Sequence, residues 1–145
     1  MLQTGLEQYY WERAGYYVRR GLLTLDILKI INAELIIAEL VTDTLGRACV
    51  LLSREFPMEA VWNKDDAGME LLVYAAQEPV DTLLVLPGTH ETPPEAVPAG
   101  EEQIEGQVRV RLETGDTLFL NPGVWRRERY SSPEKMLRLR FGIRA

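Results

Sequence analysis

The feature that most constrains the fold is a series of short strand-forming segments that begins at Arg47 and continues to the end of the chain. Apolar residues alternate with arginines in 108–112 and 137–141, a pattern typical of strands that bury one face. Glycine, proline and asparagine mark tight turns between the segments. Many short antiparallel strands separated by such turns indicate a sandwich or a small barrel. The predicted strands cover 48–53, 69–76, 82–86, 107–113, 117–120 and 136–143.

Two helices are predicted to precede these strands. The first covers 6–13 and ends near Gly15, and a short strand at 16–18 follows it. Thr24 is a good N-cap for a second helix of about fifteen residues. The apolar residues of that helix recur at steps of three and four and spread beyond one face, so it needs cover on two sides or from a second subunit. We therefore expect a homodimer.

The length indicates one domain, because 145 residues can bury a single hydrophobic core. We assign 1–145 to that domain, with the N-terminal helices and first strand in 1–45 and the remaining strands in 46–145. The segment 92–106 is rich in proline and glutamate and contains no basic residue. It is predicted to be a surface loop, either a solvated linker or a mobile lid.

Charge and hydropathy argue against two kinds of partner. A net charge of −6 and an isoelectric point near 4.9 do not fit a nucleic-acid surface. The most apolar stretch, 27–41, is too short and too polar to cross a bilayer, and 1–10 lacks the pattern of a signal peptide. We expect a cytoplasmic protein that binds neither nucleic acid nor membrane.

The chain has one cysteine and one histidine, which exclude several kinds of site. Cys49 alone cannot form an intramolecular disulfide or a thiolate zinc site. His90 alone cannot supply the paired imidazoles of a two-histidine iron site or a three-histidine zinc site. One subunit therefore cannot build these centres from its own side chains.

Four segments, taken in order, resemble one known family. They are the aromatic-rich start 9–24, the loop Leu84-Val85-Leu86-Pro87-Gly88-Thr89-His90, the stretch Gly115 to Trp125 with its Asn121-Pro122-Gly123 turn, and the final strand 137–142. Together they resemble the phytanoyl-CoA dioxygenase-like proteins of the Fe(II)/2-oxoglutarate dioxygenase superfamily. The resemblance implies a mainly β, α+β chain: a double-stranded β-helix, or cupin-like jelly-roll barrel, with two N-terminal helices.

The resemblance also implies where a metal would bind, and this chain departs from the family there. The family holds Fe(II) with a His-x-Asp pair and a distal histidine, and it binds 2-oxoglutarate beside the iron. The matching positions are Asn63-Lys64-Asp65 and Arg126. Only the carboxylate of Asp65 remains, because an amide is a poor substitute for imidazole and a guanidinium has no lone pair to donate. We therefore expect no metal and no cofactor.

The arginines of the last strand are candidates for ligand binding. In the family an arginine there clamps the carboxylate of 2-oxoglutarate, and Arg138 is the nearest match. Alternation places Arg138 and Arg140 on one face. They either face the barrel mouth and hold an anionic ligand, or are exposed and pair with Glu113 or Asp116. We favour exposure, because cross-strand charge pairs are common on open sheet faces.

Two tryptophans stand beside these positions. A carboxylate next to Trp62 in a partly dry mouth would have a raised pKa, and Asp65 could then act as a general acid or base. The alternative is that the polar segment containing Asn63 and Asp65 is simply a turn. Trp125 is expected to pack on a ligand, or else on one of the neighbouring arginines.

Three hypotheses for the function follow. The first is a metal-free relative of the family that binds a small anionic or polyketide-like organic ligand in the barrel mouth. It would act as a redox-neutral cyclase, isomerase or lyase, with Asp65 as the acid or base. Its ligand contacts would be Trp62, Asn63, Trp125, Arg126, Arg138 and Arg140. The second hypothesis is a non-catalytic binding or assembly pseudoenzyme. The third is an Fe(II)/2-oxoglutarate oxygenase with unusual ligands, such as Asp65 with water or with residues of a second subunit.

Overall fold

In the described part of the chain, antiparallel pairing arranges eight strands into two sheets. The computed structural model describes residues 10–24, 33–46, 49–55, 60–66, 69–130, 132 and 135–143. Residues 10–13 are helical and α1 is Ala33–Leu45. The strands are β1 (Tyr16–Arg19), β2 (Cys49–Glu55), β3 (Glu70–Ala76), β4 (Val80–Val85), β5 (Val108–Leu112), β6 (Thr117–Leu120), β7 (Arg126–Arg127) and β8 (Met136–Ile143).

The sheets lie face to face as a sandwich. The five-stranded sheet has the order β1-β6-β3-β8-β2, and the three-stranded sheet has the order β5-β4-β7. This arrangement confirms a mainly β, jelly-roll-like fold with helices beside antiparallel sheets. In the part of the chain that the structure describes, no strand pair closes the two sheets into a barrel.

All six strands predicted from 48 onward are present, with ends shifted by up to two residues. One observed strand, β7, was not predicted. It has only two residues, and so short a segment shows no alternation of apolar and polar residues. The beginning of the first helix and of the second helix, including the residues after Thr24, lies outside the described residues. No helix in the described ranges is long and apolar enough to span a membrane.

The central strand β3 is buried on both faces and divides the core in two. Leu71, Val73 and Ala75 face α1 and pack with its buried residues Ile37 and Val41. The intervening side chains of β3, at positions 72, 74 and 76, face the three-stranded sheet. A strand covered on both sides needs apolar residues at nearly every position, and β3 has them.

The outer face of the three-stranded sheet is partly covered by the acidic loop 92–106. Leu84 and Leu86 point outward and pack with Trp62, Trp125 and Ile104. The indole Nε1 of Trp62 donates a hydrogen bond of 2.7 Å to the carbonyl oxygen of Glu102. The segment is therefore a surface loop, and its C-terminal half contacts the sheet through Glu102 and Ile104.

The turn between β5 and β6 requires glycine. Gly115 has a φ of +90°, and its carbonyl oxygen accepts a 3.0 Å hydrogen bond from the N–H of Leu23. A Cβ at Gly115 would overlap the carbonyl oxygen of Leu23. The chain before α1 is thus held against this turn by a close backbone approach.

Replacing this glycine should destabilise the fold more than backbone strain alone can explain. A side chain in the left-handed region costs about 1–2 kcal/mol, and Gly115→Ala adds an overlap with backbone that cannot move freely. Gly106→Ala is the matched control, since its φ is +88° and nothing lies within 4 Å of the added carbon. Urea denaturation should show a larger loss for Gly115→Ala. Equal losses would contradict the close approach.

Candidate functional site

The two segments matched to the family's metal ligands lie side by side. Asn63 and Arg126 form an antiparallel bridge, in which each backbone N–H donates a 2.9 Å hydrogen bond to the other's carbonyl oxygen. Bridge partners share one face of a sheet, and so does the residue two positions along. Asn63, Asp65 and Arg126 are therefore on the inner side of the sandwich.

Arg126 is almost completely buried, and each nitrogen of its guanidinium donates a hydrogen bond. Its side chain is 1% exposed. Nη2 donates to Oδ2 of Asp65 at 3.3 Å, Nε donates to Oε2 of Glu128 at 3.1 Å, and Nη1 donates to the carbonyl oxygen of Pro122 at 3.2 Å. A buried charge needs partners of this kind, because an uncompensated one is strongly destabilising.

Glu128 is the buried carboxylate that pairs with both Arg126 and Arg138. It was not identified from the sequence as a site residue. Its Oε2 accepts hydrogen bonds from Arg126, from Nη1 of Arg138 at 2.7 Å and from the hydroxyl of Tyr74 at 2.9 Å. Its Oε1 accepts a 3.2 Å hydrogen bond from the hydroxyl of Tyr130. Alternation could have found Glu128, because positions 126, 128 and 130 share one face.

Arg138 and Arg140 point into the sandwich, so the expected exposure and pairing with Glu113 or Asp116 are wrong. The apolar residues of β8 alternate with them and pack towards α1. The neighbours of β8 are β3 and β2, and neither contributes Glu113 or Asp116. Asp116 instead accepts hydrogen bonds from Arg20 and from the N–H of Gly21.

The partners of these arginines come from β2, from β3, from the segment before β3 and from the segment after β7. Arg138 donates to Oε1 of Glu55 at 3.1 Å as well as to Glu128. Arg140 donates to Glu55 at 2.7 Å, to Glu70 at 2.9 Å and to Asp65 at 2.5 Å. The sequence does not indicate that Glu55 belongs to the site. Glu55 is the last residue of β2, and only the register of β2 on β8 brings it to Arg138 and Arg140.

These side chains form one ion-pair cluster whose exposure rises from the inside outward. Its inner members, Arg126 and Glu128, are 1% and 2% exposed. Its outer carboxylates are Glu55, Glu70 and Asp65, at 24%, 33% and 37%; we call these three the rim. The cluster consists of Arg126, Arg138, Arg140, Glu55, Asp65, Glu70 and Glu128. Three positive and four negative groups give it a formal charge of −1.

The pKa of Asp65 is lowered, contrary to the raised pKa expected beside a tryptophan. Burial alone would raise it, but the hydrogen bond from Arg140 and the positive charge of Arg126 outweigh burial. The pKa of Glu55 is lowered in the same way by Arg140 and Arg138. Burial and the charge of Glu128 raise the pKa of Tyr74. Asp65 is therefore ionised at neutral pH and cannot act there as a general acid.

Trp62 and Trp125 lie on the opposite side of the three-stranded sheet from this cluster. Each directly precedes a residue that faces inward, Asn63 and Arg126, and neighbouring residues in extended chain point to opposite faces. Both indoles pack with Leu84 and Leu86 under the acidic loop. The structure brings together Asn63, Asp65, Arg126, Arg138 and Arg140, but not the two tryptophans expected to join them.

The donor set does not fit Fe(II). Arg126 has no lone pair, and the Nδ2 of Asn63 donates a 2.8 Å hydrogen bond to the carbonyl oxygen of Val61. Asp65 Oδ2 already accepts hydrogen bonds from two guanidinium groups. His90 lies elsewhere, with Nε2 3.0 Å from the carbonyl oxygen of Glu12. Within the described ranges, no three His, Cys, Asp or Glu side chains are arranged to hold a metal ion.

Three solved structures have a fold similar to that of this chain. HygX from Streptomyces hygroscopicus with iron bound has a TM-score of 0.71 at 10% identity, over 98% of this chain and 87% of that chain. The non-heme alpha ketoglutarate dependent epimerase SnoN from nogalamycin biosynthesis has a TM-score of 0.63 at 15% identity, over 95% and 81%. The carbocyclase SnoK of the same biosynthesis has a TM-score of 0.61 at 10% identity, over 97% and 83%.

The chain therefore has a fold similar to that of these three structures, of which SnoN and SnoK are non-heme alpha ketoglutarate dependent enzymes. At identities of 10–15% the likeness shows the fold alone. No protein-family model matches the chain, and no curated protein matches its sequence. The narrower resemblance to phytanoyl-CoA dioxygenase-like proteins stays a prediction.

Removing the charge of Glu128 should destabilise the protein severely. Glu128→Gln would leave Arg126 buried with too little negative charge, and breaking such a pair costs about 3–5 kcal/mol. Glu101→Gln is the matched control, because Glu101 lies 3.8 Å from Arg129 with both side chains more than half exposed. Its loss should be below about 0.5 kcal/mol. Thermal and urea denaturation measure both, and similar small losses would show that the inner cluster is not what holds this region together.

Proposed function

We propose that this chain is a metal-independent relative of the 2-oxoglutarate-dependent enzymes that binds a small hydroxylated organic ligand at the rim. The observation that carries the proposal is the ion pair between Asp65 and Arg126. These residues stand at the positions matched to metal donors, and their charges already satisfy one another. A metal cation would have to displace a buried guanidinium from its carboxylates, which is unfavourable.

Charge balance at the rim favours a neutral, hydroxyl-bearing ligand over the anion suggested by the sequence. Arg140 is already surrounded by the carboxylates of Glu55, Asp65 and Glu70. An anion would be repelled by three negative charges and would have to replace one of them. A hydroxyl group can donate to the same carboxylates while the ion pairs remain, since each oxygen has more than one lone pair. A polyketide-like molecule with several hydroxyl groups meets this requirement.

The reaction that we propose for the rim is redox-neutral, because Asn63, Asp65 and Arg126 do not fit the iron with which the neighbours' family activates oxygen. An epimerase and a carbocyclase share the fold, although both are alpha ketoglutarate dependent. In this chain the ionised Asp65 would accept a hydrogen bond or a proton from the ligand. Its lowered pKa makes it a weak base, so only an acidic proton of the ligand would be transferred.

A second candidate function is a non-catalytic binding or assembly protein. The same lowered pKa of Asp65 favours it, because efficient general acid–base groups have a pKa near the working pH. Full pairing of Arg126, Arg138 and Arg140 by protein carboxylates also suits a structural role. The two candidates differ in turnover: a catalyst would convert its ligand, and the second candidate would release it unchanged.

The metal-independent proposal predicts that the donor set can be restored. The wild-type protein should take up no stoichiometric Fe(II) when titrated without oxygen. Asn63→His combined with Arg126→His should bind Fe(II) at least about tenfold more tightly, because two imidazoles then join the carboxylate of Asp65. Calorimetry and metal analysis of the purified proteins measure this difference.

Asn63→His alone is the matched control for that experiment. It adds one imidazole but keeps the guanidinium, so its Fe(II) affinity should stay close to that of the wild type. Thermal denaturation checks that the double variant still folds. Stoichiometric iron on the wild-type protein would overturn metal independence.

Ligand binding is tested with three probes that share one ring system. We expect a dihydroxyanthraquinone to bind more tightly than unsubstituted anthraquinone and more tightly than an anthraquinone carboxylate. Asp65→Asn should weaken binding of the dihydroxy probe about tenfold, since a charge-assisted hydrogen bond becomes a neutral one. Fluorescence titration of the full chain measures each affinity.

Asp81→Asn is the control variant, because Asp81 is an exposed carboxylate at the start of β4, away from the rim. It should leave binding of the dihydroxy probe unchanged. Tightest binding of the carboxylate probe would show that the ligand is an anion and would overturn the proposed ligand class. Equal effects of Asp65→Asn and Asp81→Asn would show that the rim is not the site.

A further inference from the structure

The outer face of the three-stranded sheet carries a second concentration of arginines that the proposed function does not use. Alternation splits the basic run that begins at Arg126: Arg126 points inward, and Arg127 and Arg129 line a groove on the outer face. Arg109 of β5 lines the same groove, of about 210 Å³, from its other side. Positive charge is therefore concentrated locally on a protein whose net charge is −6.

Strand register fixes the geometry of this groove. Leu84 of β4 pairs directly with Arg109 on one side and with Arg127 on the other. Neighbouring strands lie about 4.8 Å apart, so the backbones of the two arginines, one on each side of Leu84, are about 10 Å apart. The Leu84 side chain, 8% exposed, forms an apolar floor between them. Guanidinium groups on both sides of such a floor can reach a single anion placed above it.

The polar groups around the groove leave several donors available. Arg127 is held in place, because its Nε and Nη1 donate to the carbonyl oxygens of Ala60 and Glu101. The guanidinium of Arg109 makes no hydrogen bond or ion pair with any described residue. Arg129 makes an exposed ion pair with Glu101 at 3.8 Å, which is weak and easily exchanged. Gln107 accepts a 3.0 Å hydrogen bond from the N–H of Ile104 through Oε1, which leaves its NH₂ group as a further donor.

We propose that the groove between Arg109, Arg127 and Arg129 binds a phosphoryl group. Three arginines and no Asp or Glu side chain line the groove, and this lining matches a compact anion of charge −2 better than a carboxylate of charge −1. A tetrahedral phosphoryl group has three terminal oxygens and can accept hydrogen bonds from both sides of the groove at once. The groove has room for that group with a small organic remainder. This site is separate from the rim and does not depend on the function proposed there.

The test is calorimetry of the full chain at low ionic strength with inorganic phosphate, glycerol phosphate and acetate as probes. Phosphate or its monoester should bind saturably at one site, and acetate should bind far more weakly. Arg109→Gln and Arg129→Gln should each weaken binding by about tenfold or more, since each removes charge-assisted hydrogen bonds. Both residues are exposed, so both variants should keep the wild-type denaturation temperature.

Arg111→Gln is the matched control, because Arg111 is exposed on the same strand but lies outside the groove. It should change the affinity less than about twofold. Asp65→Asn should leave phosphate binding unchanged, which separates this site from the rim. Tighter binding of glycerol phosphate than of phosphate would identify a phosphorylated compound as the ligand, and the reverse would identify free phosphate. Absence of saturable binding, equal weakening by Arg111→Gln, or acetate bound as tightly as phosphate would each overturn the proposal.

Discussion

The inner part of the sandwich depends on one buried carboxylate. Glu128 accepts hydrogen bonds from Arg126, Arg138, Tyr74 and Tyr130, and it brings together β3, β8 and the segment after β7. Without its charge, the buried guanidinium of Arg126 and the partly buried guanidinium of Arg138 would lack their shared partner. Such charges are tolerated inside a protein only when they are paired and hydrogen-bonded. Through Arg126 and Arg138, Glu128 is linked to the rim carboxylates Asp65 and Glu55.

The fold was largely predictable from the sequence, because its strands have one apolar face or two and are separated by glycine and proline turns. In β8, the alternation predicts which side chains share a face but not which face is buried. Alternation correctly placed Arg138 and Arg140 on one face, but it could not show which face was inside. That choice depends on the α1 side being apolar and on carboxylates arriving from β2 and β3, and these contacts are distant in sequence. Glu55 could not be identified from the sequence for the same reason, because its contact with β8 joins residues that are distant in sequence.

The candidate site was predicted in part. Asn63, Asp65 and Arg126 were brought together by a resemblance in the order of motifs, and the structure places them side by side. The tryptophans were misplaced because sequence proximity was taken as spatial proximity, whereas adjacent residues in extended chain face opposite ways. The raised pKa expected for Asp65 was also wrong. Burial alone would raise the pKa of this carboxyl group, but Arg140 and Arg126 together lower it by more.

The strict inward–outward order of residues 125–130 has a consequence for how this protein can change over evolutionary time. One stretch of chain supplies alternate side chains to the interior cluster and to the exterior groove. Point replacements can alter either location independently. An insertion or deletion of a single codon here would exchange the two sets, moving Arg127 towards the interior and Glu128 to solvent. We therefore expect the length of this stretch to be under stronger selection than the identity of its exposed residues.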